Sequence, residues 1–192
     1  MSLAMDRREH GLAGEDWLKS SQDEMVVAFL QAEWTKYPDD LRERFSEQVL
    51  APNLHSRHEN MLRKKLLAFN RTQLFANIPR DTVWFRVHHL RAHHMQQLLV
   101  INHPAWNPLS EDNALLETAR KRRISLLSAP QHWNAPVLWG HTHEGPFTIL
   151  EGNHRLTAMA STGVPEDLAI PVLVGLSARP SFWHRPDHVK AR

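Results

Sequence analysis

The chain has 192 residues, of which 42% are hydrophobic and 23% are charged, with a formal net charge of +2 and no cysteine. This composition is typical of a folded domain, the small net charge does not by itself indicate a nucleic-acid partner, and the absence of cysteine excludes disulfides, thiolate metal sites and thiol catalysis. No apolar run approaches the roughly 20 residues that span a bilayer, and the first residues lack the apolar core of a secretory signal, so we expect a cytoplasmic protein that does not enter a membrane.

Residues 1–78 are expected to form a helical region. A helix is predicted from Ser21, because a serine followed by two acidic residues supplies an N-cap and a negatively charged first turn. A second short helix is predicted over 41–49, and a third over 56–73, from apolar residues that recur at helical spacing.

The third predicted helix has one apolar and one basic face. Leu62, Leu66 and Phe69 are expected to face the core. The opposite face carries a set of basic and titratable side chains: Arg57, His58, Arg63, Lys64 and Arg71. We interpret this outer face as a solvated surface, with a polyanion-binding surface as the alternative.

The middle of the chain is predicted to alternate between short strands and helices. A strand is predicted over 81–87, where β-branched and aromatic residues predominate, and a short helix over 91–101 runs into an extended segment. The remaining elements are a loop framed by Pro104 and Pro108, a helix from Ser110 to Arg123 and a strand over 135–140.

The most informative stretch is a buried strand over 147–150, a turn at Gly152 and a helix whose N-cap is expected at Asn153. Glycine suits such a turn because it adopts backbone angles that other residues avoid, and asparagine is a preferred N-cap residue. An apolar strand over 170–174 follows. A strand, a helix and a strand within about 30 residues are typical of a βαβ-like unit.

The start of this helix is predicted to bind an anion. The first N–H groups of a helix have no partner within the helix and lie at the positive end of its dipole, so they favour a phosphate or a carboxylate. Asn153, His154 and Arg155 occupy this position, and a guanidinium matches two phosphate oxygens. In the alternative, Arg155 pairs with Glu151 and the segment is an ordinary capped helix.

The sequence Glu151-Gly152-Asn153-His154-Arg155, together with the order of the predicted elements over 81–177, resembles the ParB/sulfiredoxin-like superfamily. The motif is most similar to the Gly-Gly-Cys-His-Arg of sulfiredoxins and the Asp-Gly-His-His-Arg of the free serine kinases. The resemblance implies an α+β fold. The resemblance covers a core with a small mixed sheet over 79–178. The rest of the chain is predicted to be a helical region over 1–78 and an irregular basic tail over 179–192.

The resemblance also implies an enzyme that binds ATP or another nucleotide, with Mg²⁺, and transfers a phosphoryl group. The acceptor is unknown and is expected to be a small molecule or a protein side chain. The residues that the resemblance assigns to the nucleotide are Gly152, Asn153, His154, Arg155 and Thr157.

The chain departs from the family in two places. Asn153 stands where sulfiredoxins have their nucleophilic cysteine, so sulfinic-acid reduction by that mechanism is excluded. No helix-turn-helix is evident after the core, which argues against a DNA-partition clamp. A nucleic-acid-binding module or nuclease is the alternative function, with Arg63, Lys64, the basic run 120–123 and the tail as its surface. A non-catalytic effector-binding protein is a third.

Histidines near the motif supply candidates for metal binding and acid–base chemistry. Alternate residues of an extended segment point to the same side, so His141 and His143 are expected to converge. With Glu151 they form the predicted metal site, and His154 on the next element is a further candidate ligand. Glu151, His154 and His143 are the candidate catalytic residues, as metal or proton partners. In the alternative, the two loop histidines are solvated.

Overall fold

A computed structural model describes residues 17–88, 90, 92–101, 118, 134–162 and 171–184. The strands are β1 (Trp17–Lys19), β2 (Val83–Val87), β3 (Leu98–Leu99), β4 (Val137–Gly140), β5 (Phe147–Glu151) and β6 (Val172–Leu176). The helices are α1 (Gln22–Glu33), α2 (Asp39–Leu50), α3 (Arg57–Ala76), α4 (Ala92–Met95) and α5 (Asn153–Thr162), with a short 3₁₀ turn over Trp34–Lys36.

The strands form one mixed sheet in the order β1-β2-β6-β4-β5-β3. The pairs β1·β2, β2·β6 and β4·β5 are antiparallel, whereas β4·β6 and β3·β5 are parallel. Helices and a mixed sheet in one chain agree with the predicted α+β class.

The predicted βαβ-like unit over 147–174 is wrong. β4 lies between β5 and β6, antiparallel to the first and parallel to the second, so β5 and β6 run in opposite directions. A βαβ unit requires two parallel strands joined by a crossover. The periodicity of the sequence identifies each strand but does not determine its neighbour.

Both faces of the sheet are buried. On one face Trp84, Trp139 and Leu150 pack in a cluster with α1, α2 and α3, and on the other face Leu138 and Ile149 pack with α4 and α5. This double burial explains why the central strands read as continuous apolar runs rather than as alternating patterns.

Side-chain caps place the N-terminal helices where the sequence predicts them. Ser21 Oγ accepts a hydrogen bond from the Glu24 N–H at 3.2 Å, and Ser56 Oγ accepts one from the Glu59 N–H at 3.3 Å. The helices pack into the same apolar cluster as β2 and β4, so the core continues across the predicted boundary between 78 and 79.

The described part of the predicted tail packs against the rest of the molecule. Trp183 is buried and its Nε1 donates to the Leu74 carbonyl oxygen at 3.3 Å, and Ser181 Oγ donates to the Asn77 carbonyl oxygen at 3.0 Å. These bonds attach residues 181–184 to the C-terminal end of α3.

Several predicted elements fall outside the described residues. They are the segment before 17, the loop framed by Pro104 and Pro108, the helix from Ser110 to Arg123 apart from a helical Thr118, and the end of the tail after 184. Among the helices that the structure describes, none has the length and apolarity needed to cross a membrane.

His184 is a buried titratable group at the end of the described tail. Its Nδ1 lies 2.9 Å from Oγ1 of the fully buried Thr148, and its ring centroid lies 4.9 Å from that of His141. Burial lowers the pKa of His184 to about 4, and the charge of His141 acts in the same direction.

Acidification is therefore expected to destabilise the fold through His184. The unfolded chain binds a proton near pH 6.5 that the folded chain accepts only near pH 4, so a contribution of about 3 kcal/mol is complete above the higher value and is lost as the pH falls to the lower one. Urea unfolding between pH 7.5 and 4.5 should show a weaker pH dependence in His184→Gln than in the wild type. His58→Gln, on the exposed face of α3, is the control, and an unchanged slope in His184→Gln would refute the assignment.

Candidate functional site

The turn between β5 and α5 requires glycine, as predicted. Gly152 has a φ of +88°, and a Cβ at this position would lie 2.9 Å from Pro136 Cβ. The Leu156 N–H donates to the Gly152 carbonyl oxygen at 2.9 Å, so Gly152 accepts the first backbone hydrogen bond of α5. The expected N-cap at Asn153 is wrong, because Asn153 is already helical and its buried Oδ1 makes no hydrogen bond to any described residue.

An internal ion pair fastens this turn. Arg155 Nη2 lies 2.7 Å from Glu151 Oε2, and Nη1 donates to the Asn134 carbonyl oxygen at 2.7 Å. Each side chain of the pair is only 15% exposed. The structure thus contains the pairing that the sequence left open as the alternative, and it joins the end of β5, the start of α5 and the segment before β4.

Glu151 is a largely buried carboxyl group, and burial disfavours its charged form. Burial raises the pKa of Glu151, Arg155 opposes this shift, and the negative charge of Glu33 adds to it. A carboxyl group whose pKa lies above its ordinary value accepts a proton more readily than an exposed glutamate does.

A cavity of about 620 Å³ opens beside the turn. It lies between α1, α3, the end of β5 and the start of α5, and we call it the α5 cleft. Its lining residues are Phe29, Glu33, Lys36, Phe69, Asn70, Arg71, Thr72, Gln73, Leu74, Ile101, Leu150, Glu151, Gly152, Asn153, His154 and Trp183. A smaller cavity of about 240 Å³ adjoins the same turn and is lined by Ala32, Asn134, Glu151, Gly152, Asn153, His154 and Arg155.

Charged side chains from the N-terminal helices face the α5 cleft. Arg71 donates from Nε to Glu33 Oε2 at 2.8 Å and pairs through Nη2 with Oε1, and Lys36 Nζ lies 3.2 Å from Glu33 Oε1. Burial by itself would raise the pKa of Glu33, but the bonds from Arg71 outweigh it and the pKa is lowered. The cleft therefore contains cations held by a buried carboxylate.

Sequence reasoning missed this contribution of the N-terminal helices. The sequence predicts Arg71 on the solvated face of the third helix. In the structure the helix is kinked at Arg71, with φ −135° and ψ 37°, and the Arg71 guanidinium reaches Glu33. Glu33 is the last residue of α1 and is buried. A buried carboxylate implies a partner, but its position in the sequence does not identify a partner 38 residues away.

The predicted metal set is not brought together. His141 and His143 lie in the connection between β4 and β5, at the end of the hairpin opposite Glu151. The connection turns instead of extending, so the histidines diverge. His141 makes an edge-to-face contact with Trp139 on one face of the sheet, and His143 makes one with Phe85 on the other. No group of three metal-ligating side chains occurs among the described residues. His143 is also remote from the other candidate catalytic residues, Glu151 and His154.

The predicted nucleotide-binding residues divide into three groups. Gly152, Asn153 and His154 line both cavities, whereas Arg155 lines the smaller one. Thr157 is fully buried and lines neither.

Arg63 and Lys64, two of the basic residues of the alternative function, are both engaged within the molecule. Arg63 is fully buried, so its predicted place on an outer face is wrong. Lys64 Nζ lies 2.7 Å from Asp23 Oδ1, and the run 120–123 lies outside the described residues.

No protein-family model, curated protein or solved structure matches this chain. The resemblance to the ParB/sulfiredoxin-like superfamily therefore rests on the motif and on the order of the predicted elements. The chemistry of the α5 cleft is the remaining guide to function.

Proposed function

We propose that this protein is a nucleotide-binding enzyme of the ParB/sulfiredoxin-like type. It holds ATP or another nucleotide in the α5 cleft and transfers a phosphoryl group to a small molecule or a protein side chain. The observation that carries the proposal is a cavity of about 620 Å³ with the start of α5 on one wall and cationic side chains on another. Cavities of several hundred Å³ are the usual size for small-molecule sites.

Two parts of the cleft carry positive charge that complements a phosphate. The first N–H groups of α5 and the positive end of its dipole lie at Asn153 and His154. Lys36 and Arg71 are 67% and 44% exposed, so a ligand in the cleft can reach both cations while they stay paired with Glu33. Arg155 is bound by Glu151. In this proposal it stabilises the glycine turn and does not contact the phosphates directly.

The cleft also has carboxylate oxygens suited to Mg²⁺. Glu33 and Glu151 both line it, and Mg²⁺ in proteins is commonly bound by one or two carboxylates together with substrate phosphates. Mg²⁺ bound there would neutralise phosphate charge. His141 and His143 have no part in this site.

Phosphoryl transfer needs positioning and charge neutralisation more than covalent help from the protein. The acceptor oxygen forms a bond to the terminal phosphorus, the bond from that phosphorus to the leaving diphosphate breaks, and the acceptor proton passes to a base. Where Glu33 holds the Mg²⁺, Glu151 is a candidate for this base, because it lines the cleft and burial raises its pKa. His154, which lines the same wall, is the other candidate.

A panel of nucleotides read by thermal unfolding tests the proposal. ATP or a related nucleotide with Mg²⁺, at a hundredfold excess over its Kd, is expected to raise the Tm by about 5–10 °C. Lys36→Glu should reduce this rise because it places a negative charge at the phosphate wall. Lys65→Glu, exposed on α3 and outside the cleft, is the matched control.

Two results would contradict the proposal. The first is the absence of any Tm increase with ATP, ADP, CTP or GTP, with and without Mg²⁺. The second is a steeply salt-dependent binding of DNA or RNA that Lys36→Glu leaves unchanged, which would favour the nucleic-acid alternative.

A further inference from the structure

Phe69 lies on the wall of the α5 cleft and not in the core. It is 68% exposed, although the sequence predicts that it shares the apolar face of Leu66. The buried stripe of α3 is formed by Leu66, Leu67 and Leu74 together with Arg63. At 3.6 residues per turn, Phe69 lies to one side of that stripe, so the helix directs its ring toward the cavity.

The cleft is lined by apolar as well as charged side chains. Phe29, Leu74 and Trp183 line the cavity as buried neighbours, and Ile101 lines it as a partly buried one. Single exposed apolar side chains are common on protein surfaces, but an aromatic ring at the wall of a cavity that also holds charged groups is what an amphipathic ligand requires.

We infer that Phe69 is the residue on which the base of the nucleotide stacks. This inference rests on the proposed function. With the phosphates at Lys36 and the start of α5, the other end of the ligand lies along the apolar wall, where an exposed aromatic face can cover a planar base. Every base has such a face, so Phe69 recognises a nucleoside without selecting one base strictly, and purines, which have the larger ring, bind more tightly than pyrimidines.

Comparison of ATP with inorganic tripolyphosphate isolates the role of the ring. Calorimetric titration of the full chain with each ligand, in the presence of Mg²⁺, gives the two Kd values. The wild type should bind ATP more tightly than tripolyphosphate. Phe69→Ala should weaken ATP binding by about tenfold, the lower part of the range found for stacked bases, and leave the Kd for tripolyphosphate unchanged, whereas Phe69→Tyr should retain the affinity for ATP.

Met61→Ala is the matched control, since Met61 lies on the same helix, is 50% exposed and does not line the cleft. Because Phe69 is exposed, its replacement leaves the core in place, and an unchanged Tm without ligand verifies this. Equal binding of ATP by Phe69→Ala and the wild type, while Lys36→Glu weakens both ligands, would overturn the stacking role and leave the proposed function standing. Equal losses for ATP and tripolyphosphate in Phe69→Ala would also overturn it. Failure of the wild type to bind either ligand would remove the proposed function and the stacking role together.

Discussion

Replacing Arg155 with alanine is expected to lower the free energy of unfolding by about 3–5 kcal/mol, the range found when one partner of a buried ion pair is removed. The change leaves Glu151, which is 15% exposed, without the guanidinium 2.7 Å away, and it also removes the bond to the Asn134 carbonyl oxygen. Urea unfolding at pH 7.5, followed by circular dichroism, measures the loss.

Two control variants separate the ion pair from general effects of the substitution. The double variant Glu151→Gln with Arg155→Met should be closer to the wild type than Arg155→Ala, because it leaves no buried charge uncompensated. Arg86→Ala removes a half-exposed arginine that lies 3.2 Å from Glu24, and surface pairs of this kind contribute about 0–1 kcal/mol. A loss in Arg155→Ala no larger than that in Arg86→Ala would show that the pair does not hold the turn.

The ion pair with Glu151 gives Arg155 a different role from the one that the resemblance implies. The resemblance implied that Arg155 contacts phosphates directly, but the side chain is engaged by Glu151 and lines only the smaller cavity. Arg155 therefore acts in the proposed function as a positioning residue for the glycine turn. A ligand assay on Arg155→Ala would mix lost structure with lost binding, which is why Lys36→Glu, a change at an exposed side chain, is the sharper test.

Local chemistry made much of the fold predictable. Ser21 and Ser56 cap the helices that follow them, and Gly152 occupies a backbone angle that a side chain would strain. Each of these features depends on residues within a few positions of one another, so the local sequence is sufficient to predict it. The start of α5 was predictable for the same reason, whereas the cavity beside it depends on walls that α1 and α3 supply.

Contacts between distant segments were not predictable. β6 pairs with both β2 and β4 and so lies between them. The periodicity within a strand does not specify which strand lies beside it. The bond between Arg71 and Glu33 joins helices across 38 residues and needs a kink in α3. The expected convergence of His141 and His143 failed because the spacing rule holds for extended backbone, and the hairpin connection turns.

Arg63 shows most clearly how a tertiary contact overrides a helical pattern. Its guanidinium, which is fully buried, donates to the carbonyl oxygens of Gln48 at 2.8 Å and Asn53 at 3.0 Å. Nη1 also lies 2.9 Å from Glu59 Oε2, and Nη2 donates to Asn60 Oδ1. One side chain thus satisfies carbonyls at the end of α2 and in the connection to α3, where a backbone has few partners of its own.

Arg63→Ala is expected to cost about 3–5 kcal/mol of unfolding free energy, because it leaves buried acceptors unpaired and opens a void beneath α3. Arg63→Lys should lose less, since an ammonium keeps the charge but reaches fewer of these oxygens. Lys65→Ala, on the exposed side of the same helix, should leave the midpoint of urea unfolding nearly unchanged. Because α3 supplies Phe69 and Arg71 to the cleft, a stability loss below about 1 kcal/mol in Arg63→Ala, the level of a surface pair, would mean that the attachment of α2 to α3 does not support that wall.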